Sequence, residues 1–206
     1  MPPTTRDLGD DRAVTDPDGP DLTALAWPRA TARLRLRPLE PADVPALHRY
    51  RSREDVAWWL WATAGTTEDL AARFLDPDRA GSTLVVEHEG VVVGDLMLRV
   101  QDGWGQAEAS AAAASTEAEL GWVLDPDHGG RGLATEAVRA LLDVAFDGLG
   151  VRRVTASCFA ANVASWRLME RVGMRREGEH VADSLHRELG WLDGLVYALL
   201  ADEPRT

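Results

Sequence analysis

Lysine is absent from the 206 residues, so all 22 basic side chains are arginine. That excludes a lysine Schiff base and the phosphate-binding lysine of a Walker A loop. A single cysteine, Cys158, excludes an internal disulfide and a cysteine-rich zinc site, and a free thiol suits a reducing compartment. No apolar run approaches the roughly 18 residues needed to cross a bilayer. The first residues, with Arg6, Asp7, Asp10, Asp11 and Arg12, contain no apolar stretch of the signal-peptide kind, so a cytoplasmic protein with no membrane association is expected. Positive charge is also in deficit, 22 basic residues standing against 34 acidic ones for a net charge of -12. A field of that sign repels phosphate backbones, and no nucleic-acid partner is expected.

Hydrophobic residues make up 45% of the chain and charged residues 27%, enough to build one sizeable core. Residues 1–28 hold six Asp, two Arg and five Pro without hydrophobic periodicity, and read as a disordered acidic tail ahead of a single domain over 29–206. From Thr31 the pattern becomes regular. Leu34 and Leu36 alternate with Arg33, Arg35 and Arg37 as in a half-buried strand over 34–39. Helical spacing follows from Pro41, around 53–60 and over 68–75. Residues 83–89 and 91–100 are β-branched runs joined at Glu89 and Gly90, the form of a hairpin. Residues 102–118 are rich in Gly, Ala and Ser, readable as a flexible loop or a short alanine-driven helix, and the loop is the expectation. Strand 119–124, helix 132–146, strand 151–159, helix 163–172 and strands near 174–179 and 188–200 complete the order, which predicts an α/β (α+β) domain around one mixed sheet.

The segment 127–134, DHGGRGLA, sits between a strand and a helix. Glycines there let the backbone approach a ligand, and the unpaired N–H groups and positive dipole of the following helix favour an anion. The other reading is a plain strand-to-helix turn that needs glycine for positive φ. A dinucleotide fingerprint placed on Gly130 and Gly132 fails at Thr135. Asp125, Asp127 and His128 are neighbouring turn residues, which rarely converge on one ion, so no metal is expected. Downstream, Asn162 and Ser165 open the next helix at the same end of the sheet.

Together, RLRLRPLEPADVPAL, AELGWVLDPDHGGRGLATEAV, NVASWRLMERVGM and LDGLVYALL, spread in order over about residues 31–201, resemble the GNAT superfamily of N-acetyltransferases. The likeness is to the RimJ/RimL branch of ribosomal-protein N-terminal acetyltransferases. The pattern Q/R-x-x-G-x-G/A aligns on 129–134, with Gly132 and Ala134 matching and Gly129 departing at the Gln/Arg position. The resemblance implies a twisted, mostly antiparallel sheet of about seven strands flanked by helices, with the fourth and fifth strands (119–124 and 151–159) splayed.

It also implies acetyl-CoA as cosubstrate, a primary amine as acceptor (a peptide N-terminus or a small molecule), direct attack in a ternary complex, and allows a homodimer. By the same resemblance Trp122, Val123 and Leu124 bind the pantetheine through their backbone. Gly129, Gly130, Arg131, Gly132, Leu133 and Ala134 hold the pyrophosphate, and Asn162 and Ser165 contact the pantetheine end. A base must take the ammonium proton. Glu119 is the first candidate, with Glu117, His88 and Asp95 acting through water as others. Met169 stands where many relatives have the tyrosine that protonates the thiolate, leaving Ser165 or solvent for that step. Trp58, Trp59 and Trp61 fall in the region that walls the acceptor in relatives and are candidates for an acceptor face, with core packing the favoured role. An alternative from another class is a non-catalytic acyl-CoA-binding or sensor protein.

Overall fold

The structure, a computed structural model, describes Leu22 and residues 25–76 and 81–205. Among these, eight strands form one sheet: β1 Arg29–Ala30, β2 Leu34–Pro38, β3 Thr83–His88, β4 Val91–Gln101, β5 Glu117–Leu124, β6 Arg153–Phe159, β7 Arg175–His186 and β8 Gly190–Leu200. Their spatial order is β1-β2-β3-β4-β5-β6-β8-β7. Every neighbouring pair is antiparallel except β5 and β6. Six helices accompany them: α1 Val44–Arg51, α2 Glu54–Ala57, α3 Thr67–Phe74, α4 Ser110–Ala113, α5 Leu133–Asp143 and α6 Val163–Arg171. The expected mixed, mostly antiparallel sheet flanked by helices is what is found, with the two-residue β1 as an added edge. No helix among the described residues is long and apolar enough to cross a membrane.

Period-two side chains divide the sheet's two faces. Leu34, Leu36, Leu84, Val86, Leu96, Leu98, Ala118, Leu120, Val154 and Ala156 point to one side. There they meet Leu133, Ala137, Val138 and Leu141 of α5 and Leu168 and Met169 of α6 in the larger core. Val85 and Val123 point the other way and join Val44, Leu47 and Tyr50 of α1 and Leu70 of α3 in a smaller core. The helices start where capping chemistry places them. Thr66 accepts from the Asp69 amide while Asp69 accepts from the Thr66 amide at the head of α3, and Asn162 caps α6.

Several expectations shift. The second helix spans only four residues, Glu54–Ala57, and the alanine-rich segment carries a 3-10 turn, Ala107–Ala109, and the short α4 before β5 begins at Glu117. β7 runs seven residues beyond the expected 174–179, because it is an edge strand exposed on nearly all of its length and has no apolar alternation to read. Most of the expected tail 1–28 lies outside the described residues. Its last part is not a tail: Leu22 is buried in the larger core, Leu25 and Trp27 pack against it, and the Trp27 indole donates to the Leu22 carbonyl at 2.6 Å. The folded body therefore includes Leu22, Leu25 and Trp27, whose large apolar groups bury surface against the larger core.

A buried carboxylate, Asp95 of β4, ties the α1 side to the sheet. Its Oδ1 accepts from the Tyr50 hydroxyl at 2.6 Å and from Arg51 Nε at 2.8 Å, and its Oδ2 from the other arm of the guanidinium. Burial first, and the Asp95 charge second, push the Tyr50 hydroxyl well above its ordinary range, so it is a fixed donor. Burial alone would weaken proton binding by Arg51, but the charge of Asp95 outweighs it. Asp95 sits opposite Val123 in the register, so this cluster lies directly behind the end of β5. Asp95→Ala would leave the Arg51 charge buried and unpaired and is expected to cost about 3–5 kcal/mol in urea unfolding; a loss below about 1 kcal/mol would show the cluster to be incidental.

Candidate active site

β4 and β5 keep register over eight pairs, from Gln101 and Glu117 to Gly94 and Leu124. β6 and β8 do so over seven. Between them, β5 and β6 share only three: Glu117 with Arg153, Ala118 with Val154 and Glu119 with Thr155. Past Glu119 the two parallel strands part. Residues 120–124 of β5 and 156–159 of β6 are therefore paired on one side only, and their remaining backbone groups face a V-shaped gap inside the sheet. Such groups are normally satisfied by protein, water or ligand, so the gap suits an extended ligand carrying amides. Trp122, Val123 and Leu124 form the β5 arm, with Trp122 and Leu124 packed toward the larger core and Val123 toward the smaller.

The glycine turn closes the end of that arm. Asp125, buried and held by Arg49 at 3.1 Å, caps a 3-10 turn, Pro126–His128, by accepting from the Asp127 amide. Gly130 and Gly132 then take φ of 73° and 76°, the left-handed region that glycine enters without strain. A Cβ on Gly130 would meet nothing within 4 Å, so the turn presents open backbone. Gly132 is the N-cap of α5 and offers no side-chain acceptor, which leaves the first amides of an eleven-residue helix without a side-chain cap. Gly129, Gly130, Arg131 and Gly132 thus make one exposed backbone surface with the character of an anion cradle, leading into the first turn of α5, where Leu133 is buried in the core and Ala134 is half-buried.

Sequence reading missed what holds this turn. Arg33 of the β1–β2 connection donates from Nη1 to the Arg131 carbonyl at 2.9 Å and from Nε to Glu136 at 2.7 Å, and its backbone amide donates to Glu136 at 2.9 Å. The Thr31 hydroxyl donates to the same carboxylate. Burial pushes the Glu136 carboxyl up, but the hydrogen bonds from Thr31 and Arg33 outweigh it and hold the group below the usual carboxylate range. No sequence spacing could pair residues 103 apart.

Across the gap, Asn162 Oδ1 accepts from the Ser165 amide at 3.3 Å, and Ser165 also interacts with Cys158 on the β6 arm. Burial pushes the Cys158 thiol up, as expected of a packed and unreactive cysteine. Met169, at the position where the resemblance implies tyrosine, is fully buried in the core.

Glu119 stands at the vertex of the V, in the last registered pair of β5 with β6, and its carboxylate is ion-paired with Arg99 of β4. Among the other candidate bases, Asp95 is consumed by Tyr50 and Arg51. Glu117 faces Arg152 and Arg153, and His88 packs against the His128 ring at 6.2 Å.

The three tryptophans do not act as a group. Trp58 and Trp59 join Phe159, at the tip of the β6 arm, and His186 of β7 in an aromatic cluster with ring centroids 4.8–6.4 Å apart. His186 Nε2 contacts the Trp58 carbonyl at 2.8 Å, bolting the β7–β8 hairpin to the segment after α2. Trp61 lies outside, 77% exposed, with the Arg73 guanidinium 5.5 Å over its ring.

This geometry agrees with what the chain is similar to. Residues 33–175 match the family model described as an acetyltransferase (GNAT) domain. A protein of Bacillus subtilis named as an uncharacterized N-acetyltransferase, YnaD, is 28% identical over 177 residues, 84% of this chain and 96% of that protein. Among solved structures, a GNAT-family acetyltransferase from Bacillus anthracis superposes with a TM-score of 0.71 at 30% identity, covering 86% of this chain and all of the other. RimJ of Mycobacterium smegmatis, solved in complex with CoA-disulfide, shares the fold at a TM-score of 0.66 and 24% identity over 82% of each chain.

A Cβ at Gly132 would meet only the Arg33 guanidinium, at 3.7 Å, so the demand for glycine there is conformational and not steric. Gly132→Ala is expected to lower unfolding stability by about 1–2 kcal/mol, and Gly132→Asn by distinctly less, because asparagine enters the left-handed region more readily. Equal losses in the two variants would contradict a left-handed requirement at this position.

Proposed function

The chain belongs to the GNAT acetyltransferase family and is an acyltransferase; from that premise we propose that it is an acetyl-CoA-dependent N-acetyltransferase of the RimJ/RimL kind acting on a primary amine. The observation that carries the reading is the V between β5 and β6, with the uncapped N-terminus of α5 at the end of one arm and the Asn162 cap on the other. The complex of Mycobacterium smegmatis RimJ with CoA-disulfide supports coenzyme A as the occupant.

Acetyl-CoA supplies an activated thioester carbonyl and a thiolate leaving group. The remaining roles fall to this chain. Backbone groups of Trp122, Val123 and Leu124 pair with the amides of the pantetheine arm as a neighbouring strand would, and polarise the thioester oxygen. The first amides of α5, reached across Gly130, Arg131 and Gly132, hold the pyrophosphate, and the helix dipole favours that charge. Asn162 and Ser165 flank the far end of the arm.

The acceptor nitrogen attacks the carbonyl carbon. A C–N bond forms, the C–S bond breaks, and the amine must shed a proton. Glu119 receives that proton through water, with Arg99 fixing the carboxylate at the vertex. The departing sulfur takes a proton from the Ser165 hydroxyl or from solvent, since Met169 carries none. Trp59, packed on Phe159 at the tip of the β6 arm, and Trp58 edge-on beside it form the wall against which the acceptor rests. A net charge of -12 draws cationic acceptors toward the molecule.

Thiol release from acetyl-CoA, measured across a panel of peptide N-termini, polyamines and aminoglycosides, tests the assignment; acceptor-dependent release is expected. In the same assay Glu119→Gln is expected to lower kcat about 10²–10⁴-fold while changing coenzyme A affinity less than about twofold, the pattern of a lost proton acceptor. An unchanged kcat would remove Glu119 from the reaction.

A further inference from the structure

The β7–β8 hairpin enters the aromatic cluster through one side chain. His186, the last residue of β7, is buried and packs against the rings of Trp58, Trp59 and Phe159 at centroid distances of 4.8, 5.6 and 5.5 Å. Both of its ring nitrogens are used. Nδ1 stands 3.2 Å from the amide nitrogen of Glu188 and 3.2 Å from that of Leu189, in the turn that Gly190 closes at a φ of 75°. Nε2 stands 2.8 Å from the Trp58 carbonyl oxygen. A backbone amide can only donate and a carbonyl can only accept. All three bonds therefore coexist in one form of the ring, the neutral tautomer with its proton on Nε2. The turn orients the imidazole from the Nδ1 side, and Nε2–H is thereby aimed at Trp58.

The segment that receives this bond has little else to place it. α2 ends at Ala57 after four residues, none of them fully buried, and Val56 and Leu60 are only partly buried against the smaller core. Side chains tie both ends of the segment. Arg53 donates to Asp127 at 2.7 Å, ahead of the glycine turn, and at the other end His186 and Arg187 donate to the carbonyls of Trp58 and Leu60. On the sheet side, β8 stays paired with β6 as far as Phe159, which lies opposite Gly194, so the hairpin and the tip of the β6 arm form one body. His186 is thus the link between the two halves of the aromatic wall, Trp58 and Trp59 from the α2 segment and Phe159 from the sheet. A hydrogen bond of 2.8 Å fixes the distance and direction of the Trp58 peptide, and Trp59 follows as the next residue.

We propose that His186 is a positioning residue for the acceptor: as the Nε2–H tautomer it sets the separation of Trp58 and Trp59 from Phe159, and through it the affinity for the acceptor amine, without touching the coenzyme or the reacting atoms. This role rests on the reading of the tryptophans as the acceptor wall and adds the β7–β8 hairpin as the element that places that wall.

Two substitutions separate the two nitrogens. In His186→Gln the side-chain amide reaches the place of Nε2 and still donates to the Trp58 carbonyl, while the amides of Glu188 and Leu189, both exposed residues, turn to water. In His186→Asn the side-chain oxygen takes the place of Nδ1 and keeps the turn, but the bond to Trp58 is lost. Thiol release from acetyl-CoA is measured on the full chain with the peptide N-terminus, polyamine or aminoglycoside that the wild-type protein acetylates. The acceptor KM is expected to rise about tenfold in His186→Asn and less than about threefold in His186→Gln, with kcat and calorimetric coenzyme A affinity within about twofold of wild type in both. Equal KM values in the two variants, or a parallel fall in kcat or coenzyme affinity, would overturn the positioning role and leave the acetyltransferase reading standing. A wild-type protein that releases no thiol with any acceptor of the panel would overturn the acetyltransferase reading and the positioning role with it. The long-range proton–nitrogen spectrum of the wild-type imidazoles needs no variant. It is expected to show His186 protonated on Nε2 alone at neutral pH, and a proton on Nδ1 would overturn the proposal even where a substituted chain fails to fold.

Discussion

The interruption of backbone pairing after Glu119 is the constraint around which the molecule is arranged. A sheet is stabilised by leaving few buried N–H and C=O groups without partners. Here two adjacent central strands part after three pairs, while each keeps full register with its outer neighbour. The strand edges exposed by that parting are interior ones, and they are rigid because β4 and β8 hold them from outside. A gap of this kind has the shape of a missing strand, and a ligand that filled it would meet edges already fixed by their outer neighbours, which lowers the ordering cost.

Two polar clusters keep the gap in place from opposite faces. On the α1 side, Asp95 gathers Tyr50 and Arg51 behind Val123, so the β5 arm is backed by a saturated carboxylate. On the other side, Arg33, Thr31 and Glu136 join the start of β2 to the first turn of α5, with the Arg131 carbonyl included. The charge pairs Arg49–Asp125 and Arg53–Asp127 link α1 and the segment after it to the loop ahead of the glycines. The segment that leads to Trp58 and Trp59, the β5 arm and the glycine turn are therefore one connected frame.

Much of this was legible from residues alone, for physical reasons. Gly130 and Gly132 were readable because a left-handed turn before an amphipathic helix restricts residue type, and the strands of the larger core because apolar alternation marks a half-buried face. The part of β7 beyond residue 179 was not, since an edge strand exposed on nearly all of its length leaves no alternation. Leu22, Leu25 and Trp27 were hidden in an acidic, proline-rich stretch whose average character is that of a tail. The partners of Glu119 and of the glycine turn, Arg99 and Arg33, are set by tertiary approach alone. The three tryptophans share one region of the sequence, but Trp59 reaches Phe159 and His186 and Trp58 reaches His186, while Trp61 faces outward.

The central claim is that the open edges of β5 and β6 are the seat of the pantetheine arm. Amide hydrogen exchange with and without coenzyme A measures this at the residues concerned. The account predicts fast exchange at some amides within 120–124 and 156–159 in the free protein and marked slowing there on coenzyme binding, with 117–119 protected in both states. Coenzyme binding that leaves the exchange of both segments unchanged would contradict it.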